Sequence, residues 1–221
     1  MNQSPVPSHY IITIGRSFGS GGRDLGHRLA KRLGISYYDK ELLRDAARHS
    51  GLDEALFQKN DERAPGFLSG ILPMSMGYNA LAWYAGPNTA GSEGVYRAQS
   101  DFIREVASQQ PCVIVGRTSD YILRDFPGVV NIFLHAPEEQ CIERIMRRGD
   151  CKSIDEARSI MRKTNKLRAE FYNFYTDRTW GDSASYHLSI DTSKLDMDDI
   201  VDLVVAYLDK RNLLSQSKSE S

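Results

Sequence analysis

Short, continuous apolar runs recur along this chain and are separated by segments with helical periodicity. Four runs predict buried strands, over residues 10–14, 112–115, 129–134 and 186–190, and a shorter run at 35–38 is compatible with a fifth. Because the runs are continuous rather than alternating, they favour a parallel sheet that is covered on both faces.

Helical patterns lie between these runs, over residues 24–33, 40–49, 94–108, 137–148, 154–175 and 197–211. In the first of them Leu25, Leu29 and Leu33 are four residues apart, and Gly34 marks the end. Regular alternation of strand and helix predicts an α/β fold in three layers, with a parallel sheet between helices and right-handed crossovers.

One stretch, residues 63–92, has no clean period and is rich in glycine, proline, serine and asparagine. A loop of this length inside a compact domain is usually functional or partly disordered. The two ends of the chain are polar, and we expect them to form flexible tails at 1–8 and 212–221 around a single domain at 9–211.

The amino-acid composition narrows the range of possible functions. The 221 residues are 41% hydrophobic, enough for one buried core, and the formal net charge of −1 gives no global basic field for a nucleic-acid partner. Any anion site must therefore be built locally. The three cysteines lack metal-ligand spacing and no apolar stretch is long enough for a membrane span, so the prediction is a cytoplasmic protein with reduced thiols and no membrane partner.

A glycine-rich turn at residues 15–24 directly follows the first predicted strand and precedes a helix. Such a turn can hold a phosphate, because its backbone N–H groups converge and the helix dipole favours an anion. The alternative is a tight turn that only caps the helix. The phosphate-binding interpretation predicts contacts to ATP from Gly19, Ser20, Gly21, Gly22, Arg23 and Asp24.

The turn fits the P-loop pattern G-x-x-x-x-G-K-[ST] imperfectly. When the pattern is read from Ser17, its second glycine is Gly22, Arg23 stands in place of the lysine, and Asp24 replaces the serine or threonine. Arginine retains the positive charge. Asp24 could cap the helix or help to hold Mg²⁺, and Ser20 could supply the missing hydroxyl ligand.

Several blocks of the sequence resemble the cytidylate-kinase-like family in order, from about residue 10 to 208. They are residues 12–24, 37–43, 112–117, 120–123, 168–172, 175–180 and 190–193. The resemblance implies a P-loop nucleoside-monophosphate kinase fold with a nucleotide-binding loop, a monophosphate-binding insertion at about 60–92 and a basic lid at about 144–168. It also implies an ATP- and Mg²⁺-dependent transfer of the γ-phosphoryl group to CMP or dCMP.

Arginines supply the charge that such a transfer needs. Arg117 follows a strand that ends in glycine and matches the family arginine that grips the acceptor phosphate; the alternative is a surface arginine at a helix start. By resemblance Arg144, Arg147 and Arg148 belong to the lid and contact ATP phosphates. Cations at the end of a helix can also simply complement its dipole.

A second group of predictions concerns the acceptor. An R-x-x-x-D-x-x-R-like pattern of true cytidylate kinases becomes Met161, Asn165 and Arg168 in this chain, so Arg168 is the better match and Arg162 a further candidate. Asp39 follows the short second strand and could orient a hydroxyl or a metal-bound water, and it also suits a helix N-cap. Arg23, Arg117, Arg148 and Arg168 are the predicted catalytic cations.

Three functions remain open on the sequence. The first is a nucleoside-monophosphate kinase that binds a nucleotide and a small phosphorylated acceptor. The second is a small-molecule kinase in which residues 63–92 hold a different acceptor, since fold does not fix substrate. The third is a non-catalytic nucleotide-binding regulatory module, which the departures at Arg23, Asp24, Met161 and Asn165 make credible.

Overall fold

A computed structural model of the protein describes residues 9–39 and 92–214. The strands are β1 (Ile11–Arg16), β2 (Ser36–Tyr38), β3 (Cys112–Val115), β4 (Val129–His135) and β5 (Leu188–Asp191). The helices are α1 (Gly22–Leu33), α2 (Ser92–Gln109), α3 (Ser119–Ile122), α4 (Glu138–Arg147), α5 (Ile154–Tyr175) and α6 (Met197–Lys210), with a 3₁₀ turn at Ser183–Ser185.

The described strands form one five-stranded sheet in the order β2-β3-β1-β4-β5, and every pairing is parallel. All five predicted strands are therefore present. Strand β1 is central, because it pairs with β3 on one side and with β4 on the other. The carboxyl ends of these three strands consequently meet at one edge of the sheet.

Apolar side chains cover the sheet on both faces, as the continuous apolar runs predicted. On one face Ile12 and Ile14 of β1 pack with Leu25 and Leu29 of α1, in a cluster that also includes α6. On the other face Ile11 and Ile114 pack with side chains of α2 and α3. The fold is a three-layer α/β fold with helices on both faces.

Helices α4 and α5 form a separate apolar cluster with the turn that follows β1. Ile145 of α4 and Ile160 of α5 pack with Phe18 of that turn. Helix α5 begins at a capped N-terminus: the Ser153 hydroxyl accepts from the Glu156 N–H at 3.2 Å, and the Glu156 carboxylate accepts from the N–H of Lys152, one residue before the N-cap, at 2.9 Å. The segment predicted as a lid is thus packed against the turn.

Leu213 lies beyond the predicted domain end at 211. It is buried in the core, and its N–H donates to the Leu208 carbonyl at 3.1 Å, so the packed part of the chain reaches at least this residue. The predicted helix over 40–49, the segment 63–92 except Ser92, and the chain ends 1–8 and 215–221 lie outside the described residues.

No helix within residues 9–39 and 92–214 is long and apolar enough to cross a membrane.

Candidate active site

The turn between β1 and α1 lies at the carboxyl edge of the sheet, where parallel α/β sheets bind their ligands. Gly21 is the N-cap of α1 and adopts φ = 92°, a left-handed conformation that glycine tolerates best. The first helical hydrogen bond runs from Leu25 N–H to the Gly21 carbonyl at 2.9 Å. The N–H groups of Gly22, Arg23 and Asp24 precede that bond, so the start of the helix presents donors that suit an anion.

Two hydrogen bonds fix the beginning of the turn. The Ser17 N–H donates to the Leu134 carbonyl of β4 at 2.9 Å, and the Phe18 N–H donates to the Asn165 Oδ1 of α5 at 2.7 Å. Asn165 is one of the departures from the family pattern. In this chain its amide oxygen accepts a hydrogen bond from the turn after β1.

Ser20 does not fit its predicted role as a metal ligand. It is 0% exposed, and its hydroxyl lies 2.9 Å from the Ser17 carbonyl and 3.1 Å from the Leu134 carbonyl. The hydroxyl is therefore directed into the protein, where it tightens the turn. The backbone carbonyl of Ser20 accepts from the Thr192 hydroxyl at 2.9 Å, which joins the turn to the segment after β5.

A cavity of about 780 Å³ opens above the turn. Its cationic lining residues are Arg16, Arg23, Arg144, Arg147, Arg148, Lys163 and Arg168. Among the described residues, the carboxylates of Asp24, Asp39 and Asp150 also line it. A chain with a net charge of −1 thus concentrates positive charge at one place, as the composition required.

Arg23 and Asp39 form an ion pair across this cavity, with Arg23 Nε 3.2 Å from Asp39 Oδ2. Asp39 is 7% exposed at the end of β2, whereas the Arg23 side chain is 58% exposed. Burial, followed by the Asp39 charge, raises the pKa of the neighbouring Tyr37 hydroxyl, which lies 3.5 Å from Asp39. The second predicted metal ligand, Asp24, is paired with Arg28 at 2.9 Å.

Two predicted catalytic arginines contact the ring of Phe18. The guanidinium carbons of Arg148 and Arg168 lie 5.4 and 5.6 Å from the ring centroid, within the range of a cation–π interaction. Arg148 is also paired with Asp150 at 2.6 Å. Phe18 therefore positions one cation from the predicted lid and one from α5 beside the phosphate loop.

Arg144 is held by the segment that follows β5. Its guanidinium donates to the Thr192 hydroxyl at 2.7 Å and to the Thr192 carbonyl at 2.6 Å. Arg147, by contrast, is exposed and paired with Glu143 on its own helix at 2.5 Å. Both line the cavity, but Arg144 is the more firmly positioned of the two.

Arg162 does not fit its predicted role in substrate binding. Its guanidinium is exposed and lies 3.1 Å from the Glu138 carboxylate, which also binds Arg158 at 3.0 Å. The Arg162 hydrogen bond is the main cause that lowers the pKa of Glu138. Arg162 lines neither cavity at this edge of the sheet and instead ties α5 to α4.

Arg117 lies beside a second, smaller cavity of about 40 Å³ at the end of β3. It is 8% exposed and adopts φ = 63°, and the next residue, Thr118, has φ = 51°. Two successive non-glycine residues in the left-handed region are strained, and such strain is typical of functional sites. Arg117 thus follows the carboxyl end of β3, and its role in binding the acceptor stays a prediction.

Asp120, Tyr172 and Tyr186 line the same small cavity. The Tyr172 hydroxyl donates to the Asp120 carboxylate at 2.6 Å. Burial is the largest cause that raises the pKa of Asp120, and burial with the Asp120 charge raises the pKa of Tyr186 to about 12. These residues were not predicted to share a site, because their proximity depends on contacts between α5 and the segments after β3 and before β5.

Arg16 and Arg168 line both cavities and lie where the two meet. The Arg168 guanidinium donates to the Arg16 backbone carbonyl at 3.0 Å. The Arg168 Nε is buried and has no hydrogen-bond acceptor among the described residues. Such a donor is suited to bind an anionic ligand. Arg16 was not a predicted site residue, although its position at the end of a strand, within the glycine-rich segment 15–24, is a feature that could have identified it.

The residues present suit a Mg²⁺ ion that enters with nucleotide phosphates. In residues 9–39 and 92–214 no three His, Cys, Asp or Glu side chains form a ready metal cluster. Mg²⁺ in kinases commonly binds one or two carboxylates together with phosphates and water. Asp24 and Asp39, which line the cavity beside the phosphate loop, are the carboxylates that could serve as its ligands.

The sheet, the glycine-rich turn at the end of β1 and the basic cavity above it define a kinase-type phosphotransferase with a P-loop kinase fold. The sequence model of the cytidylate kinase-like family matches residues 11–194, and the chain belongs to this family. No curated protein matches the chain significantly.

Solved structures agree with the fold. An uncharacterized protein from Eubacterium ventriosum is 28% identical, with a TM-score of 0.69 over 92% of this chain and 100% of that chain. A shikimate kinase from Bacteroides thetaiotaomicron is 14% identical, with a TM-score of 0.53 over 90% and 98% of the two chains. A gluconokinase from Sinorhizobium meliloti is 18% identical, with a TM-score of 0.50 over 96% and 99%.

Proposed function

We propose that this protein transfers the γ-phosphoryl group of ATP to a nucleoside monophosphate, with CMP or dCMP as the acceptor. The observation that carries the proposal is the pair of cavities that meet at Arg16 and Arg168. Phosphoryl transfer requires two anions in line with their charge offset by cations. Two basic cavities that are both lined by Arg16 and Arg168 suit that arrangement.

The larger cavity suits ATP. The N–H groups at the start of α1 would bind phosphate oxygens, and Arg144, Arg148 and Arg168 would offset their charge. Mg²⁺, with Asp24 or Asp39 as candidate ligands, would neutralise further charge on the phosphates. Phe18 holds Arg148 and Arg168 beside the loop, so these cations need little reorganisation when the nucleotide binds.

The smaller cavity suits the phosphate of the acceptor. Arg117 is buried there in a strained backbone conformation, next to the Asp120–Tyr172 hydrogen bond. A guanidinium can bind a phosphate through two parallel hydrogen bonds. The nucleoside itself would extend from this cavity. Cytosine is proposed as its base from the family resemblance and not from a contact in the structure.

The test is an ADP-release assay with ATP, Mg²⁺ and a panel of acceptors. The panel contains CMP, dCMP, the other nucleoside monophosphates, shikimate and gluconate, because shikimate and gluconate kinases share the fold. Turnover with CMP or dCMP that Arg117→Ala reduces by about 10²–10³-fold would support the proposal. Arg124→Ala is the matched control, since Arg124 is an exposed arginine close in sequence that pairs with Asp125 at 3.7 Å.

The other outcomes are equally informative. Turnover with shikimate, gluconate or another non-nucleotide acceptor would contradict the proposal of a nucleotide acceptor but would still support a kinase activity. Binding of ATP without turnover of any acceptor would favour a regulatory nucleotide-binding module.

A further inference from the structure

The side chain of Arg16 runs across the start of α1, directly over Gly22. A Cβ atom added at Gly22 would lie 2.7 Å from Arg16 Cγ, 2.8 Å from Arg16 Cβ and 3.3 Å from Arg16 Cδ. These separations are too short for any side chain at position 22 while Arg16 keeps its place. The absence of a side chain at residue 22 therefore makes room for Arg16.

The guanidinium end of Arg16 lies over a second glycine, Gly116, where β3 ends. A Cβ added at Gly116 would overlap Arg16 Nη1 and would lie 2.9 Å from Arg16 Cζ. The charged group consequently stands between the ends of β1 and β3, beside Arg117. Two glycines that are distant in sequence thus leave space for one arginine.

The geometry of the turn changes the alignment with the P-loop pattern. In G-x-x-x-x-G-K-[ST] the lysine follows the last loop glycine and opens the helix. Here Gly21 is that glycine, because it is the left-handed N-cap, and Gly22 is the first helical residue. Gly22 therefore occupies the lysine position, and Arg16, six residues earlier, occupies the position of the first glycine. Relative to the P-loop pattern, the glycine and the cationic residue therefore stand at each other's positions.

The sequence-based alignment, which gave Arg23 the place of the lysine, is corrected by this register. Arg23 is the second residue of α1, and it is more than half exposed and paired with Asp39. Arg16 instead begins at the end of the strand and reaches back over the loop. It lines the nucleotide-sized cavity and the small Arg117 cavity together, which Arg23 does not.

We propose that Arg16 is a catalytic residue of this protein: it supplies the loop cation that grips the transferred phosphoryl group, and Gly22 is required to admit it. The proposal rests on the phosphotransferase function proposed above and adds the residue that bridges donor and acceptor. A guanidinium stays charged at every accessible pH and can contact two phosphate oxygens at once. Arg168 steadies the bridge, because its guanidinium donates to the Arg16 carbonyl at 3.0 Å.

The test compares Arg16→Ala and Arg16→Lys with the wild-type protein. The first readout is the affinity for a non-hydrolysable ATP analogue with Mg²⁺, measured by titration calorimetry alongside the affinity for adenosine. We expect Arg16→Ala to weaken binding of the ATP analogue by at least about tenfold while adenosine binding changes little, because only the ATP analogue carries phosphates. The second readout is kcat, which should fall about 10²–10³-fold, with Arg16→Lys intermediate.

An exchange variant tests the geometry directly. Arg16→Gly with Gly22→Lys restores the ordinary P-loop order, and it should recover at least about tenfold of the kcat lost in Arg16→Gly alone. Arg32→Ala is the matched control, since Arg32 is an exposed arginine of α1 that pairs with Asp202 at 3.6 Å. Thermal melting of every variant shows whether the fold is intact.

The proposal is overturned if folded Arg16→Ala binds the ATP analogue as the wild type does. It is equally overturned if the folded exchange variant is no more active than Arg16→Gly. If the wild type binds the analogue but transfers no phosphoryl group to any acceptor, the proposed function fails, while loss of analogue binding in Arg16→Ala still supports Arg16 as the phosphate-gripping cation. A wild type that binds no ATP analogue overturns both.

Discussion

Asn165 and Phe18 are 147 residues apart, yet the Asn165 Oδ1 accepts the Phe18 N–H at 2.7 Å. This hydrogen bond links the middle of α5 to the phosphate loop. Phe18 in turn contacts the guanidinium groups of Arg148 and Arg168. One side-chain amide therefore sets the position of a loop, an aromatic ring and two cations.

Asn165→Ala should weaken nucleotide binding. The variant leaves the Phe18 N–H without its acceptor, which costs about 1–2 kcal/mol of unfolding free energy and lets the loop move. We expect the affinity for Mg²⁺ with an ATP analogue to fall about 3–10-fold, measured by calorimetry. Asn165→Asp, which keeps an acceptor oxygen, should retain most of the affinity.

Asn173→Ala is the matched control for this prediction. Asn173 lies on the same helix and its amide oxygen also accepts a backbone N–H, that of Trp180 at 2.8 Å, away from the loop. Asn173→Ala should lower the free energy of unfolding without an effect on nucleotide affinity. Equal losses of affinity in both variants would mean that general stability of α5, rather than the contact to Phe18, governs binding.

Arg168→Ala should reduce turnover more than it reduces nucleotide binding. Arg168 lines both cavities, has a buried Nε without an acceptor among the described residues, and holds the Arg16 carbonyl. Loss of a cation that acts on developing charge lowers kcat by about 10²–10³-fold. Steady-state kinetics with varied ATP and varied acceptor measure both parameters.

Lys166→Ala is the control, because Lys166 is an exposed cation on the same helix that lies 3.8 Å from Glu170. Arg168→Lys should recover only part of kcat, since lysine cannot both reach the Arg16 carbonyl and present a planar pair of donors. A full recovery by lysine would show that charge alone suffices and would contradict the positioning role of Arg168.

Periodicity predicted the fold well where a segment is long or continuously apolar. Helix α5 has the predicted bounds, 154–175, because the Ser153 side chain caps its start and the helical pattern is unbroken. The five-residue run at 10–14 became β1, which extends two residues further to Arg16. Helix α3 was not predicted, since a four-residue helix carries no measurable period.

The candidate site was predicted at the level of segments rather than side chains. Glycine-rich composition identified the loop, and resemblance identified Arg117 and Arg168. Three features depend on contacts between distant segments: the inward hydroxyl of Ser20, the pairing of Arg162 with Glu138, and the place of Arg16 over Gly22. Within a helix such as α5, nothing local in the sequence distinguishes an arginine that faces a cavity, as Arg168 does, from one that pairs with a carboxylate, as Arg162 does.

The cysteines should be unreactive in the folded protein. All three thiols are free and buried, and burial raises the pKa of Cys112 to about 12. Since the thiolate is the reactive form, alkylation of Cys112 at pH 8 should be slower than in an unfolded chain by about 10³-fold. Mass spectrometry after timed iodoacetamide exposure measures the rate, and denatured protein gives the reference; rapid labelling of native Cys112 would contradict its place in β3.

Asp120→Asn should make the protein more stable relative to wild type as the pH rises. Burial raises the pKa of Asp120 in the folded state, against the opposing hydrogen bond from Tyr172 and the charge of Arg178. The folded protein therefore binds this proton more tightly than the unfolded chain. Its stabilising contribution is complete below the unfolded pKa of about 3.9 and is lost as the pH rises through the folded value.

Asparagine has no such proton, so the difference in unfolding free energy between Asp120→Asn and wild type should move in favour of the variant by up to ~1.4 kcal/mol per pH unit within that window. Urea unfolding between pH 3.5 and 7 measures it. Asp125→Asn, at an exposed position nearby, controls for loss of a surface carboxylate. Tyr172→Phe should widen the window, because it removes the hydrogen bond that favours the ionised form; a difference that stays constant with pH would mean that Asp120 is ionised in the folded protein as readily as in the unfolded chain.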